Sequence, residues 1–126
     1  MKKLILAVAV CLSFVAAPAI AQNSSEIPNR GVAPKTSDGL GRLDLRVFDS
    51  EGRPVRGAQA KLVSQRRGGF VCETWNTTDA RGVAVLPPLH VGSLKLSIKA
   101  QGFRAQTLTL SPSDLGRPVR VTLARS

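Results

Sequence analysis

From residue 41 to residue 123 the chain is a series of short runs in which apolar and polar residues alternate. Each run ends in a turn rich in glycine, proline or aspartate. A period of two places one face of a strand in a core and the other in solvent, and no stretch keeps a helical period over the length that a helix needs. The pattern therefore predicts an all-β domain, a β-sandwich of seven strands.

The alternation also predicts where the strands lie and which faces they bury. In the first strand, Leu43, Leu45 and Val47 are expected to face the core, while the intervening Asp44 and Arg46 meet solvent. The loop 111–118 has room for a single helical turn. The seven predicted strands cover 42–48, 58–64, 70–76, 83–86, 94–100, 105–110 and 119–123.

The N-terminus has the features of a secretory signal peptide. Lys2 and Lys3 form a basic region, Leu4–Ala17 is apolar, and Ala19–Ala21 is a small-x-small cleavage site. The apolar stretch is shorter than the ~20 residues that a membrane-spanning helix needs. Cleavage after residue 21 predicts a mature chain that begins at Gln22 and is soluble in the periplasm or outside the cell.

The mature chain is expected to contain a flexible arm and one domain. Residues 22–40 are rich in Asn, Ser, Pro, Gly and charge, with no apolar periodicity, so they bury too little surface to offset the entropy of ordering. We expect a flexible N-terminal arm there. The single domain then covers residues 41–126.

The alternation in the third predicted strand indicates which way Cys72 and Trp75 point. One face carries Phe70, Cys72 and Thr74, and the other carries Glu73 and Trp75. An unpaired Glu73 in a core costs several kcal/mol, so the first set is expected to point inward. Cys72, the one cysteine of the mature chain, is then a core residue, with a bridge to a partner as the alternative. Trp75 points outward, either as a contact residue or as part of a cluster over the sheet edge.

The mature chain is strongly basic. Loss of Lys2 and Lys3 leaves 16 basic against 8 acidic residues, a net charge of +8. Such a charge attracts polyanions such as lipid head groups, acidic polysaccharide or nucleic acid, although a scattered, solvated basic surface is the competing interpretation. Arg66 and Arg67 share a predicted hairpin tip and are candidate binding residues. Few aromatic residues accompany the basic ones, which argues against nucleic acid.

Three segments of the chain read DSEGRPVRGAQAKLV, TTDARGVAVLPPL and VGSLKLSIKAQGF. Together they resemble the carboxypeptidase regulatory-like domain, which has a prealbumin-like (transthyretin-like) Greek-key sandwich. The chain departs from the family at Ser93, where a tyrosine often follows the second glycine. The resemblance implies an accessory, non-catalytic module of secreted and cell-surface proteins. Its spaced residues are Gly52, Pro54, Gly57, Ala58, Thr78, Asp79, Gly82, Gly102 and Phe103.

Enzymes of similar architecture need residues that this chain lacks. Hydroxyisourate hydrolases rely on more than one histidine with an arginine and a serine-bearing tail, whereas His90 stands alone here and residues 123–126 only faintly resemble that tail. Intradiol dioxygenases hold iron through tyrosines and histidines, and the chain has no tyrosine. Asp49, Glu51 and Asp79 have no calcium-loop spacing and are interpreted as turn stabilisers. We therefore predict no catalytic residue, metal site or cofactor.

These observations predict a secreted, non-catalytic module that binds or scaffolds at the bacterial cell envelope. Its partner is expected to be a protein or a glycan, contacted by Arg66, Arg67 and Trp75. The alternatives are a small hydrolase of the hydroxyisourate type and a purely structural surface protein. The arginine-rich surface also leaves open a non-specific attraction to polyanions.

Overall fold

The computed structural model describes residues 27–126, and the predicted signal peptide lies outside them. The fold is all-β, as predicted. Within the described residues, no helix is long and apolar enough to cross a membrane. The strands are β1 (Leu40–Gly41), β2 (Asp44–Asp49), β3 (Gln59–Gln65), β4 (Val71–Thr77), β5 (Val83–Val85), β6 (Leu89–His90), β7 (Ser93–Lys99), β8 (Gln106–Leu110) and β9 (Val119–Leu123).

The predicted count of seven strands is wrong, because the described residues form nine. Each of the seven predicted ranges corresponds to an observed strand, with ends that differ by at most two residues. The two additional strands, β1 and β6, have two residues each and pair with each other. A strand of two residues is too short to show an alternation. The expected single turn before β9 is the 3-10 helix Pro112–Gly116, which starts with a reciprocal cap between Ser111 and Asp114.

The strands form three sheets. The largest has the order β4-β3-β7-β8 and is antiparallel throughout. The second has the order β5-β2-β9, in which β2 and β9 run parallel. The third is the short β1-β6 pair. Parallel pairing of β2 with β9 joins the first and last long strands, so the two ends of the domain close against each other.

One hydrophobic core receives side chains from both of the larger sheets. Burial of a leucine or isoleucine stabilises the fold by ~1.5–3 kcal/mol relative to exposure. Both sheets therefore depend on each other for most of their stability. The fully buried large apolar side chains are Leu43, Leu45, Leu62, Leu86, Leu96, Ile98, Leu115 and Leu123.

The predicted solvent face of β2 is covered, which corrects the sequence analysis. Asp44 is fully buried and Arg46 nearly so. The Arg46 guanidinium lies 3.0 Å from the Asp44 carboxylate and donates to the carbonyls of Ile27 and Pro28, both at 3.1 Å. The Arg30 N–H donates to Asp44 at 2.9 Å. The chain segment before the domain therefore supplies the hydrogen-bond partners that make burial of this ion pair tolerable.

The described part of the predicted arm, residues 27–40, lies along the domain. Val32 and Arg42 exchange two backbone hydrogen bonds of 2.9 Å. The Asn29 side chain donates to the carbonyl of Gly116 at 2.9 Å. These polar contacts hold the segment although it has no apolar periodicity, because backbone groups rather than side chains make most of them.

The phase predicted for β4 is correct in part. Trp75 points outward and is 65% exposed, Thr74 is buried, and the half-buried Cys72 packs against the core. Phe70 was expected inward but is also 65% exposed. It precedes β4 in the hairpin turn, where Gly69 has a φ of 81°, so the alternation of the strand does not extend to it. The Arg66 guanidinium lies 6.0 Å from the centre of the Phe70 ring.

Two aspartates stabilise the turns on which the resemblance rests. The Asp49 carboxylate accepts hydrogen bonds from the N–H groups of Arg53 and Glu51, both at 2.9 Å, and these bonds lower the pKa of Asp49. Burial opposes ionisation of Asp79, but hydrogen bonds from the N–H groups of Val83 and Arg81 outweigh it, and the net effect lowers the pKa of Asp79. Both carboxylates therefore accept hydrogen bonds from the backbone of their own turns and stabilise them, as predicted.

These lowered pKa values predict acid destabilisation. A carboxylate whose pKa is lower in the folded state contributes stability above its unfolded pKa, about 3.9, and loses it as the pH falls through the folded value. The urea midpoint should therefore fall as the pH is lowered from 5 to 2. Asp49→Asn should flatten this dependence, because the amide keeps an acceptor oxygen but does not titrate. If the urea midpoints of the variant and the parent fell equally with pH, the stabilising role of the Asp49 carboxylate would be contradicted.

Candidate functional site

The solvent-facing side of the four-stranded sheet, here called the outer face, is the candidate site. Alternate residues of each strand point away from the core, and the register places them in rows across the sheet. In β7, for example, Leu94, Leu96 and Ile98 are buried while the residues between them point outward. The outer face consists of Gln59, Lys61, Val63, Gln65, Val71, Glu73, Trp75, Thr77, Ser93, Lys95, Ser97, Lys99, Thr107 and Thr109.

Trp75 borders an open hollow on this face. The register sets Trp75 opposite Lys61, and Lys61 opposite Ser97 on the next strand. The hollow has a volume of about 470 Å³, and Gln59 and Lys99 complete its polar side. An exposed indole beside hydroxyl, amide and ammonium groups offers a flat apolar surface together with hydrogen-bond donors.

A second hollow continues along the same face. It has a volume of about 250 Å³ and is lined by Val63, Gln65, Ser93, Lys95 and Thr109. Because Val63 lies two residues from Lys61 on β3, the two hollows adjoin along one strand. The outer face therefore presents a continuous polar surface with one aromatic ring toward one side of it.

The predicted arginines lie elsewhere. Arg66 and Arg67 are at the tip of the β3-β4 hairpin, before β4 begins at Val71. Trp75 lies a further ~13 Å along β4, four residues after Val71 at ~3.3 Å per residue. Arg66 is partly buried, and its guanidinium lies 3.7 Å from the carboxylate of Asp38. Arg67 is exposed at another hollow of about 500 Å³, which includes Lys35 and meets the outer face at Gln65 and Ser93. The structure thus does not bring the three predicted binding residues together.

The neighbours of Trp75 were not singled out from the sequence. Lys61, Ser97 and Lys99 are ordinary outward residues of alternating strands, and only the strand order places them beside the indole. The available signal was the two lysines that point outward from β7. Without the pairing of β7 with β3, that signal does not lead to Trp75.

The remaining reactive side chains do not form a catalytic group. His90 is exposed on β6, and its Nδ1 lies 2.9 Å from the carbonyl oxygen of Asp38. Among residues 27–126, no three His, Cys, Asp or Glu side chains are grouped as metal ligands. The half-buried thiol of Cys72 lies on the core side of β4, opposite to the outer face.

Comparison with known proteins shows likeness at the level of fold. No protein-family model matches the chain, and no curated protein matches it. Among solved structures, the chain is similar to 3-chlorocatechol 1,2-dioxygenase from Rhodococcus opacus 1CP, with a TM-score of 0.54 and 13% sequence identity. The similarity covers 89% of this chain and 71% of that one. At this identity the likeness concerns the fold alone.

Proposed function

We propose that this chain is a secreted, non-catalytic β-sandwich module of the carboxypeptidase regulatory-like type, and that it binds a glycan at the bacterial cell envelope. The observation that carries the proposal is the exposed Trp75 beside a hollow with polar walls on the outer face. The signal-peptide pattern supports delivery to the envelope or beyond. The core shared by two sheets supports the prealbumin-like sandwich.

The composition of the outer face favours a glycan over a protein partner. A stable protein interface buries ~800 Å² on each side around an apolar core. Apart from Trp75, the apolar residues of the outer face are Val63 and Val71 alone, and the rest are hydroxyl, amide or charged side chains. A sugar ring has an apolar face that stacks on an indole and a rim of hydroxyls that pairs with such side chains.

Catalysis is not part of the proposal, although the fold neighbour is a dioxygenase. An iron site of tyrosines and histidines has no counterpart in a chain with no tyrosine and one histidine. That histidine, His90, is exposed and lies near a backbone carbonyl oxygen rather than a second catalytic side chain. The residues therefore favour binding over hydrolysis.

Substitution of Trp75 tests the proposal directly. Trp75 is the one tryptophan of the chain, so its fluorescence reports on ligand contact. Protein produced from the full-length sequence is titrated with soluble polysaccharide released from bacterial envelopes. We expect a saturable fluorescence change in the parent. By a pull-down with the same polysaccharide, Trp75→Ala should weaken binding about thirtyfold or more, since loss of a central aromatic contact costs ~2 kcal/mol or more.

Phe70 provides the matched control. It is an aromatic residue with the same 65% exposure as Trp75, but it lies in the hairpin turn outside the outer face. Phe70→Ala should bind as the parent does, and Trp75→Phe should retain part of the affinity because a ring remains. Equal losses in Trp75→Ala and Phe70→Ala, or no saturable binding in the parent, would refute the proposed function.

A further inference from the structure

The outer face concentrates positive charge in a fixed pattern. Lys61 lies opposite Ser97, and Lys95 and Lys99 flank Ser97 at two residues on either side. Lys61 is therefore a diagonal neighbour of both other lysines, at ~7–8 Å, while Lys95 and Lys99 are ~13 Å apart along β7. The three lysines form a triangle on the sheet, with Lys61 and Lys99 at the first hollow and Lys95 at the second.

This charge is only partly compensated. Glu73 is the one acidic residue of the outer face, and its carboxylate lies 4.0 Å from the ammonium nitrogen of Lys61. Lys95 and Lys99 have no acidic side chain within 4.0 Å among residues 27–126. Like charges at this separation repel each other, so the arrangement does not favour the stability of the sheet, while it creates a positive potential.

Protection of sheet edges does not explain these lysines. Exposed edge strands often carry lysine, which discourages pairing with another chain. In the order β4-β3-β7-β8, however, Lys61 lies on β3 and Lys95 and Lys99 lie on β7, and both strands are interior. The two edge strands carry no lysine on the outer face.

From this pattern we infer that the ligand of the outer face is an acidic polysaccharide, a chain of sugars that carry carboxylate groups. The inference rests on the proposed function and adds the charge of the glycan and a second contact region at Lys95. One sugar stacks on Trp75, and carboxylates along the chain meet Lys99, Lys61 and Lys95. The path runs ~20 Å along β7, enough for several sugar units.

Polygalacturonate and its fully methyl-esterified form are the probes, because they share one sugar backbone and the methyl ester removes the carboxylate charge. Protein produced from the full-length sequence is titrated with each at ~150 mM salt, where the Debye length is ~8 Å. We expect at least about tenfold tighter binding of the acidic form and a Trp75 fluorescence change with it. Lys95→Gln should weaken acid binding about three- to tenfold and leave any binding of the methyl ester unchanged.

Lys35→Gln is the matched control, since it removes one exposed lysine outside the outer face. Its affinity should stay within twofold of the parent. Equal losses in Lys95→Gln and Lys35→Gln would mean diffuse attraction to net charge and overturn the inference. The inference would also be overturned if single-stranded DNA or anionic phospholipid vesicles, at matched charge, competed for the protein as well as polygalacturonate does.

The two proposals fail in different ways. Trp75-dependent binding of the ester as tight as that of the acid overturns the acidic ligand and keeps the glycan-binding function. Loss of Trp75 dependence for both probes and for the envelope polysaccharide overturns the function itself. The urea midpoint of every variant checks that it folds. Because the four substituted residues are exposed, the free energy of unfolding should change by no more than ~0.5 kcal/mol. These residues are Lys35, Phe70, Trp75 and Lys95.

Discussion

Arg46→Ala is expected to destabilise the fold by about 3–5 kcal/mol, because removal of one partner of a buried ion pair leaves the other charge uncompensated. Asp44 is fully buried in the three-stranded sheet, and once the guanidinium is gone the Arg30 N–H is its one remaining donor among residues 27–126. The carbonyls of Ile27 and Pro28 lose their donor as well. Urea unfolding at neutral pH measures the loss.

Two further variants separate burial from charge. Arg53→Ala removes an arginine whose side chain is 66% accessible and should cost less than about 1 kcal/mol. The double variant Asp44→Leu/Arg46→Met removes both buried charges and should recover much of the loss. A cost for Arg46→Ala no larger than that for Arg53→Ala would show that the buried pair is not what holds this segment.

Gly82→Ala is expected to cost about 3 kcal/mol or more. Gly82 has a φ of 78°, and a side chain in this left-handed region costs ~1–2 kcal/mol by itself. An added Cβ would also lie 2.5 Å from the carbonyl oxygen of Val47 and 3.0 Å from the Cβ of Pro54, so the turn has to move away from β2. The hydrogen bond from the Val47 N–H to the Gly82 carbonyl, 2.8 Å, would be strained in the same movement.

Gly52 offers a control with the same backbone conformation and no crowding. Its φ is 82°, and no atom lies within 4 Å of an added Cβ. Gly52→Ala should therefore cost only the ~1–2 kcal/mol of the left-handed conformation. The difference between the two variants in urea unfolding measures the close approach of Gly82 to β2. Equal costs would mean that the turn relaxes freely and that close packing there is unimportant.

The strands were predictable where alternation lasts for several residues. β7 shows why: three buried apolar residues alternate with serines and lysines that point outward over seven positions. β1 and β6 were not predicted, because a strand of two residues is too short to show an alternation. Phe70 was misplaced because the positive φ values of Gly68 and Gly69 end the alternation just before it.

The candidate site was predictable only in part. The exposure of Trp75 followed from the cost of burying Glu73 on the same face of β4. Arg66 and Arg67 were chosen because they share a turn, yet they lie at the far end of the strand from Trp75. These three residues are close in the sequence, but an extended strand places Trp75 far from the two arginines in space.

By itself the sequence determined the all-β class, the position of the seven longer strands and the inward set of leucines, because a period of two depends only on neighbouring residues and their contact with water. Only the tertiary structure decided which strands are neighbours. Parallel pairing of β2 with β9 and burial of the Asp44–Arg46 pair under residues 27–30 join parts of the chain that no local pattern connects. The same holds for the outer face, where Trp75, Lys61 and Lys99 come together because β3 pairs with both β4 and β7.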